Sequence, residues 1–141
     1  MEISANPNGP AVKKLLSESN LPFEDITAQH LKNFFGCGSG SELEGLVGLE
    51  VYGDVALLRS LAVCPGQRGA GRGSRLVTHA ERHAQDQGVK SLYLLTMTAE
   101  RFFLNRGYLK IPRDEAPAAI RATSEFSGIC PASSVFMVKH L

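Results

Sequence analysis

Apolar positions recur along this chain with two different periods. Over residues 11–19, Val12, Leu15 and Leu16 fall on one face at helical spacing, which predicts a short amphipathic helix closed by Asn20-Leu21-Pro22. Residues 1–10 read as an extended lead, with Met1-Glu2-Ile3-Ser4 a poor strand. Residues 23–31 hold a helical turn or second helix, and Lys32-Asn33 closes it. Then the period changes. Phe34-Phe35-Gly36-Cys37 begins a strand, residues 38–41 form a glycine-serine turn, and residues 43–52 form a second strand. Gly53-Asp54 is a two-residue hairpin turn, and residues 55–63 form a third strand. Residues from Gly73 or Ser74 to Gln87 return to helical spacing, with Leu76, Val77 and Ala80 inward and Gly88 as the stop. A buried strand over 91–96, a short helix over 99–105, a strand after Tyr108, a helix over 116–123 and a last strand over 134–139 complete an α/β chain.

The join at residues 57–74 is the most informative stretch. A mostly apolar strand runs into Pro65-Gly66, then into an arginine-flanked glycine loop, then into a helix. Strand, glycine loop and helix N-terminus together hold phosphate: the loop offers backbone N–H groups, and the helix end adds about half a positive charge. No lysine follows in the Walker A position, and the dinucleotide fingerprint fails because Ser74 stands where its last glycine belongs. The bland alternatives are a glycine-rich linker or an arginine-glycine tract for RNA.

Composition narrows the field. The 141 residues fit one domain, 1–141, with 43% hydrophobic and 21% charged residues. A net charge of +1 disfavours a nucleic-acid partner, which needs a basic face. No apolar run reaches the ~20 residues of a membrane span. A polar N-terminus without a signal-peptide core leads to the expectation of a cytoplasmic protein. Cys37, Cys64 and Cys130 are an odd set without metal-like spacing, expected to be reduced thiols. His79 and His83 lie four apart on one helix but lack a third ligand, so a solvated face is expected there and no metal site.

Arg68-x-x-Gly71-x-Gly73 after a strand ending Leu61-Ala62-Val63 resembles the acetyl-CoA pyrophosphate loop of the GNAT N-acetyltransferases. Phe102-Phe103-Leu104-Asn105-Arg106-Gly107-Tyr108 is similar to a second GNAT signature, and the two cover about residues 55–111. The resemblance implies a GNAT fold, with a mixed, mostly antiparallel sheet splayed at the acetyl-CoA site and helices on both faces. It implies acetyl-CoA as donor, held by Leu61, Ala62, Val63, the loop Arg68, Gly69, Ala70, Gly71, Arg72, Gly73, Ser74, and by Phe103 and Arg106. Many members place a tyrosine at Phe103 as the acid for the leaving thiolate. Phenylalanine has no proton to give, and that departure keeps open a non-catalytic acyl-CoA-binding or sensing protein. The run from Leu94 to Tyr108 resembles acetyltransferases of the N-acetylglutamate synthase type. The segment from Ala116 to Ser133 resembles small acetyltransferases of bacterial arsenic-resistance operons, which implies a bacterial enzyme and brings Arg121 and Ser127 in as substrate-binding positions. The acceptor implied is a small amino-acid-like amine, an arsenic-containing one among the candidates; a homodimer stays open. The cysteines also admit an arsenic-binding reading, with core cysteines as the plainer one.

Within that family, strand register assigns chemistry. A two-residue turn at Gly53-Asp54 pairs Glu50 with Leu57, so Gly48, Glu50, Leu57, Arg59, Leu61 and Val63 are expected on one face. Glu50 is the candidate base, with a solvated or Arg59-paired carboxylate as the alternative. Arg59, in an apolar strand, is the candidate receptor for a substrate carboxylate, with a structural pair to Glu50 as the alternative. Thr96 and Thr98 end a strand beside the expected channel and are candidates for substrate oxygen, or helix caps.

Overall fold

A computed structural model of the chain describes residues 2–39, 42–67, 69 and 71–141, with Ser39 and Gln67 as backbone alone. The expected loop residues Arg68 and Ala70 lie outside them, as do Gly40 and Ser41 of the expected turn.

Among the described residues, seven strands form one sheet in the order β1-β2-β3-β4-β5-β7-β6. These are β1 (Ser4–Ala5), β2 (Phe34–Ser39), β3 (Glu42–Tyr52), β4 (Val55–Val63), β5 (Ser91–Thr96), β6 (Leu109–Lys110) and β7 (Val135–His140). The lead thus carries a two-residue strand, paired with Phe35 and Gly36. Every pairing is antiparallel except β4 with β5. That parallel ladder has three rungs, ending at Leu57 opposite Tyr93. Beyond it β4 and β5 part, while β5 stays paired to β7 as far as Thr96. The sheet is therefore splayed at its centre, as the resemblance implied.

Helices cover both faces. On one side α3 (Arg72–Asp86) packs Leu76, Val77, Ala80 and Ala84 onto Val47, Leu49, Ala56 and Leu58. On the other, α1 (Gly9–Glu18) packs Val12, Leu15 and Leu16 onto Phe34, Leu46 and Ala62. There too α5 (Ala118–Arg121) sets Ile120 beside Leu57, Tyr93 and Phe136. Helix α1 begins two residues before expectation. Asn8 accepts the N–H of Ala11, and Pro10 sits in the first turn where its missing N–H costs nothing, so the apparent lead is a capping sequence. Of the turn or helix expected over residues 23–31 the structure forms the turn, α2 (Ala28–Leu31); the helix expected over 116–123 shrinks to the single turn of α5, while α4 (Glu100–Leu104) fits within its expected span.

The hairpin register is as expected: Glu50 pairs with Leu57 and Tyr52 with Val55. The shared face is not. Ser60 sits at φ +61°, and the β3–β4 register slips between Leu46 and Gly48. This bulge inserts a residue into β4 and reverses the alternation after it. Leu61 and Val63 pack on the α3 side, and Ala62 takes the face of Arg59. The expected solvated His79 and His83 are half-buried instead, edge-on to Phe35 at 4.7 and 4.9 Å between centroids.

Candidate active site

The glycine loop lies where strand β4 hands over to helix α3. A 3-10 turn, Pro65–Gln67, leads into it, and Gly71 caps α3 at φ +76°, a conformation that L side chains resist. A cavity of about 300 Å³ opens here, lined by Val63, Gly69, Gly71, Arg72, Gly73, Ser74 and Phe102. Among the described residues nothing lies within 4 Å of a Cβ built on Gly69 or Gly71. Arg72 lies 3.7 Å from Glu44, and its Nε is buried without a hydrogen-bond partner among the described residues. Arg106 stacks its guanidinium 4.4 Å from the Phe102 ring, its Nε likewise buried and unpartnered among them. A fifteen-residue helix aimed N-terminus first at the cavity, with two arginines nearby, is matched to a diphosphate.

A second cavity, of about 700 Å³, fills the splay between β4 and β5. Leu58 to Leu61 form one wall, Leu94 to Thr98 the other, Phe103 closes one end, and Glu125, Cys130 and Pro131 line another part. Thr96 accepts the N–H of Ala99, the residue that precedes α4, and α4 itself has no side-chain cap; Thr98 is exposed. Phe103 packs edge-on to Phe102 and Tyr108. The Tyr108 hydroxyl donates to Glu81 at 2.8 Å, and burial with that carboxylate pushes its pKa far up.

Beside this cavity Arg59, 3% exposed, gathers three carboxylates. Asp25 takes the fork in two prongs, Oδ2 to Nη1 at 2.5 Å and Oδ1 to Nη2 at 2.8 Å. Glu50 takes Nη1 at 2.8 Å, Glu125 lies 3.3 Å from Nη2, and Nε donates to Ser60 at 3.1 Å. The Tyr52 hydroxyl donates to the other Glu50 oxygen at 2.5 Å. Burial opposes charge on Asp25, but Arg59 outweighs it and holds the carboxyl below its usual range. The same contest keeps Arg59 above its usual value, burial being overcome by its three partners. Burial pushes Glu125 up to about 7 against the pull of Arg59, and pushes the neighbouring Cys130 thiol up to about 12, with the Glu125 charge adding to it. Asp25, His30 and Glu50 also bring ligand atoms within 4.8 Å of one another, but Arg59 already supplies the positive charge that Asp25 and Glu50 hold.

The expected site residues thus divide. Gly69, Gly71, Arg72, Gly73, Ser74 and Val63 share the smaller cavity, and Arg59, Leu61, Thr96, Thr98 and Phe103 line the larger. Glu50 is buried behind it. Ala62 faces the α1 core. Arg121 donates to the carbonyls of Ala116 and Asp114, and Ser127 is exposed on a π turn, Glu125–Ile129; neither lines a cavity. The fork of Arg59, expected for a substrate carboxylate, is held by Asp25. Asp25 and Glu125 escaped the sequence reading. The signal was present in Arg59 itself, since a buried guanidinium demands carboxylates, but no spacing rule points across 34 residues to Asp25.

The profile of the acetyltransferase (GNAT) family matches residues 7–108. The chain belongs to this family. An amino-acid acetyltransferase of Ralstonia nicotianae is 38% identical over 108 residues, covering 77% of this chain and 22% of the relative. The N-acetylglutamate synthase of Neisseria gonorrhoeae, solved with coenzyme A and N-acetyl-glutamate, superposes with a TM-score of 0.83 at 24% identity, over 99% of this chain and 35% of that one. An aminoglycoside 6'-N-acetyltransferase solved with coenzyme A superposes with a TM-score of 0.68 at 18% identity, over 99% and 97% of the two chains. The chain therefore spans about a fifth of the curated relative and a third of the synthase, and the two superpositions carry the fold. No described helix is long and apolar enough to cross a membrane.

Proposed function

We propose that this GNAT acetyltransferase moves the acetyl group of acetyl-CoA onto the amino group of a small amino-acid-like molecule. The observation that carries the reading is that β4 serves two cavities: Leu58 to Leu61 wall the larger, apolar one, which Glu24 and Glu125 also line, and Val63 then lines the smaller one beside the glycine-lined helix N-terminus. Arg72, Gly71, Gly73 and Ser74 would hold the diphosphate through backbone N–H groups and the guanidinium, with Arg106 adding charge. Among the described residues no ladder joins β4 to β5 beyond Leu57 and Tyr93, which leaves room for the pantetheine arm. Acetyl-CoA supplies an activated carbonyl and a thiolate leaving group. Leu58, Leu61, Leu94 and Phe103 keep water from the thioester. Thr98 offers a hydroxyl to the acceptor, while the Thr96 hydroxyl accepts the Ala99 N–H in the turn before α4.

The amino-acid character of the acceptor is supported by the Ralstonia relative, and an arsenic-containing amino acid by the resemblance of the segment from Ala116 to Ser133. Coenzyme A release, followed with a thiol reagent over a panel of amino acids, their arsenical and phosphorus analogues, and simple amines, tests both. Turnover confined to amino-acid-like amines is expected. Turnover of none of the panel, with acetyl-CoA bound normally, would defeat the reading.

A further inference from the structure

Three carboxylates share one guanidinium beside the larger cavity, and they share it unequally. Asp25 has both terminal nitrogens, Glu50 one at 2.8 Å, and Glu125 only a contact of 3.3 Å. Of the three, Glu125 is the one that lines the cavity. It is also 4% exposed, so its charged form has little water to stabilise it. The single charge of Arg59 cannot neutralise three carboxylates, two of them buried and one half-buried, and like charges this close do not all ionise together. Below about 7 the surplus is met by a proton on Glu125, the carboxylate with the weakest claim on Arg59; above it Glu125 is a carboxylate able to take a proton. The groups facing Glu125 agree. Arg59 from β4 favours the ion; Asp25 from the segment before α2 and Glu50 from β3 oppose it; the Cys130 thiol, just after the π turn, bonds to it. Burial is the largest influence, and it places the change of state at about 7.

From this arrangement we infer that Glu125 takes the proton from the ammonium of the acceptor, and that Arg59, with Asp25 and Glu50 behind it, is the positioning group that sets Glu125 for the task. The inference rests on the acetyl-transfer reading above. The Glu125 carboxylate removes one proton from R–NH3+, leaving R–NH2 in the cavity. The nitrogen lone pair attacks the thioester carbon; the C–N bond forms, the C–S bond breaks, and its electron pair leaves on sulfur. The second proton lost from nitrogen goes to that sulfur, giving the free thiol without an acid at Phe103. Glu125 then returns its proton to solvent. The position expected for the base, Glu50, lies off the cavity with both oxygens already bonded to Tyr52 and Arg59.

The test is the pH–rate profile of Glu125→Gln, Glu125→Asp and wild type, with acetyl-CoA affinity measured alongside. Positioned proton transfer contributes about 10²- to 10⁴-fold. Glu125→Gln is expected to lose at least about a hundredfold in kcat at neutral pH and to lose the ascending limb seen in wild type, with acetyl-CoA binding unchanged. Glu125→Asp, one methylene shorter, should keep a limb while losing kcat. If Glu125→Gln keeps the wild-type rate and limb, the proposal is overturned. Should that variant not fold, Glu125→Asp decides: an unaltered rate and profile overturns it. A wild type that binds acetyl-CoA but acetylates no amine defeats the acetyl-transfer reading and this proposal with it, whereas an active wild type with an indifferent Glu125→Gln defeats this proposal alone.

Discussion

Arg59 shows how much one residue can organise. Its side chain is wholly buried, so its charge is tolerable only because carboxylates surround it. Arg59→Met would leave those carboxylates buried against one another, and breaking a buried pair costs about 3–5 kcal/mol. The expected outcome in a urea titration is a loss of that order, larger than any change in acceptor KM among molecules that still fold. A normal midpoint with a raised KM would instead restore the substrate-receptor role to Arg59. Glu125 gives the network a pH signature. Its carboxyl is raised in the folded protein from 4.5 to about 7, so the folded state binds the proton more tightly. Its contribution to stability is full below 4.5 and is lost as pH rises through about 7. Asp25 works in the opposite sense, contributing above its usual 3.8 and losing that contribution as pH falls below it. Glu125→Gln should therefore flatten the decline in melting temperature toward neutral and alkaline pH, as thermal unfolding across a pH series would reveal. Cys130 beside it, raised to about 12, should react with iodoacetamide far more slowly than an ordinary thiol at neutral pH; mass spectrometry of the alkylated peptide would check this.

Strand β4 carries the lesson at the scale of the element. Its hairpin partner and register were legible, because a two-residue Gly-Asp turn leaves one way to pair Tyr52 with Val55. The side chains beyond Arg59 were not, because nothing in Leu58-Arg59-Ser60-Leu61 marks Ser60 for a positive φ. A single inserted residue then reversed Leu61, Ala62 and Val63. The bulge does useful work in the site: it sits beside the splay, and the Ser60 hydroxyl accepts from the Arg59 Nε. A β-branched residue there would meet a conformation costing about 1–3 kcal/mol and would lose that hydrogen bond. Ser60→Val is thus expected to lower the denaturant midpoint by a corresponding amount. An unchanged midpoint would mean the bulge is held by its surroundings at no cost. The start of α1 was legible in principle. Asn8 two residues before Pro10 is a capping pattern, and the composition of the lead hid it. Glu125 was not legible, since it reaches the cavity from a single π turn that no periodicity announces.

Across the whole molecule, one strand serves two unlike cavities. Both follow from β4: it supplies the wall of the splay, then runs into the glycine loop that starts α3. Ligand binding should therefore couple to global stability, since the groups that would hold the diphosphate belong to the strand and helix that carry the main core. Binding to the folded state alone stabilises by about 2.7 kcal/mol at a ligand concentration a hundred times Kd. Acetyl-CoA at that excess should raise the melting temperature of the wild type by several degrees. Gly71 is the position that separates this effect from general charge attraction. It caps α3 at φ +76°, and among the described residues nothing stands within 4 Å of a Cβ built on it. Gly71→Val should cost about 1–3 kcal/mol of intrinsic stability through backbone strain and should abolish the acetyl-CoA shift, because the side chain occupies the approach to the N–H groups. Isothermal titration would show the same loss of affinity, and free phosphate or salt would not restore it. If Gly71→Val melts lower yet keeps its full acetyl-CoA shift, the strain is real and the diphosphate lies elsewhere; if both are unchanged, the loop accommodates a side chain without strain and the diphosphate does not approach it.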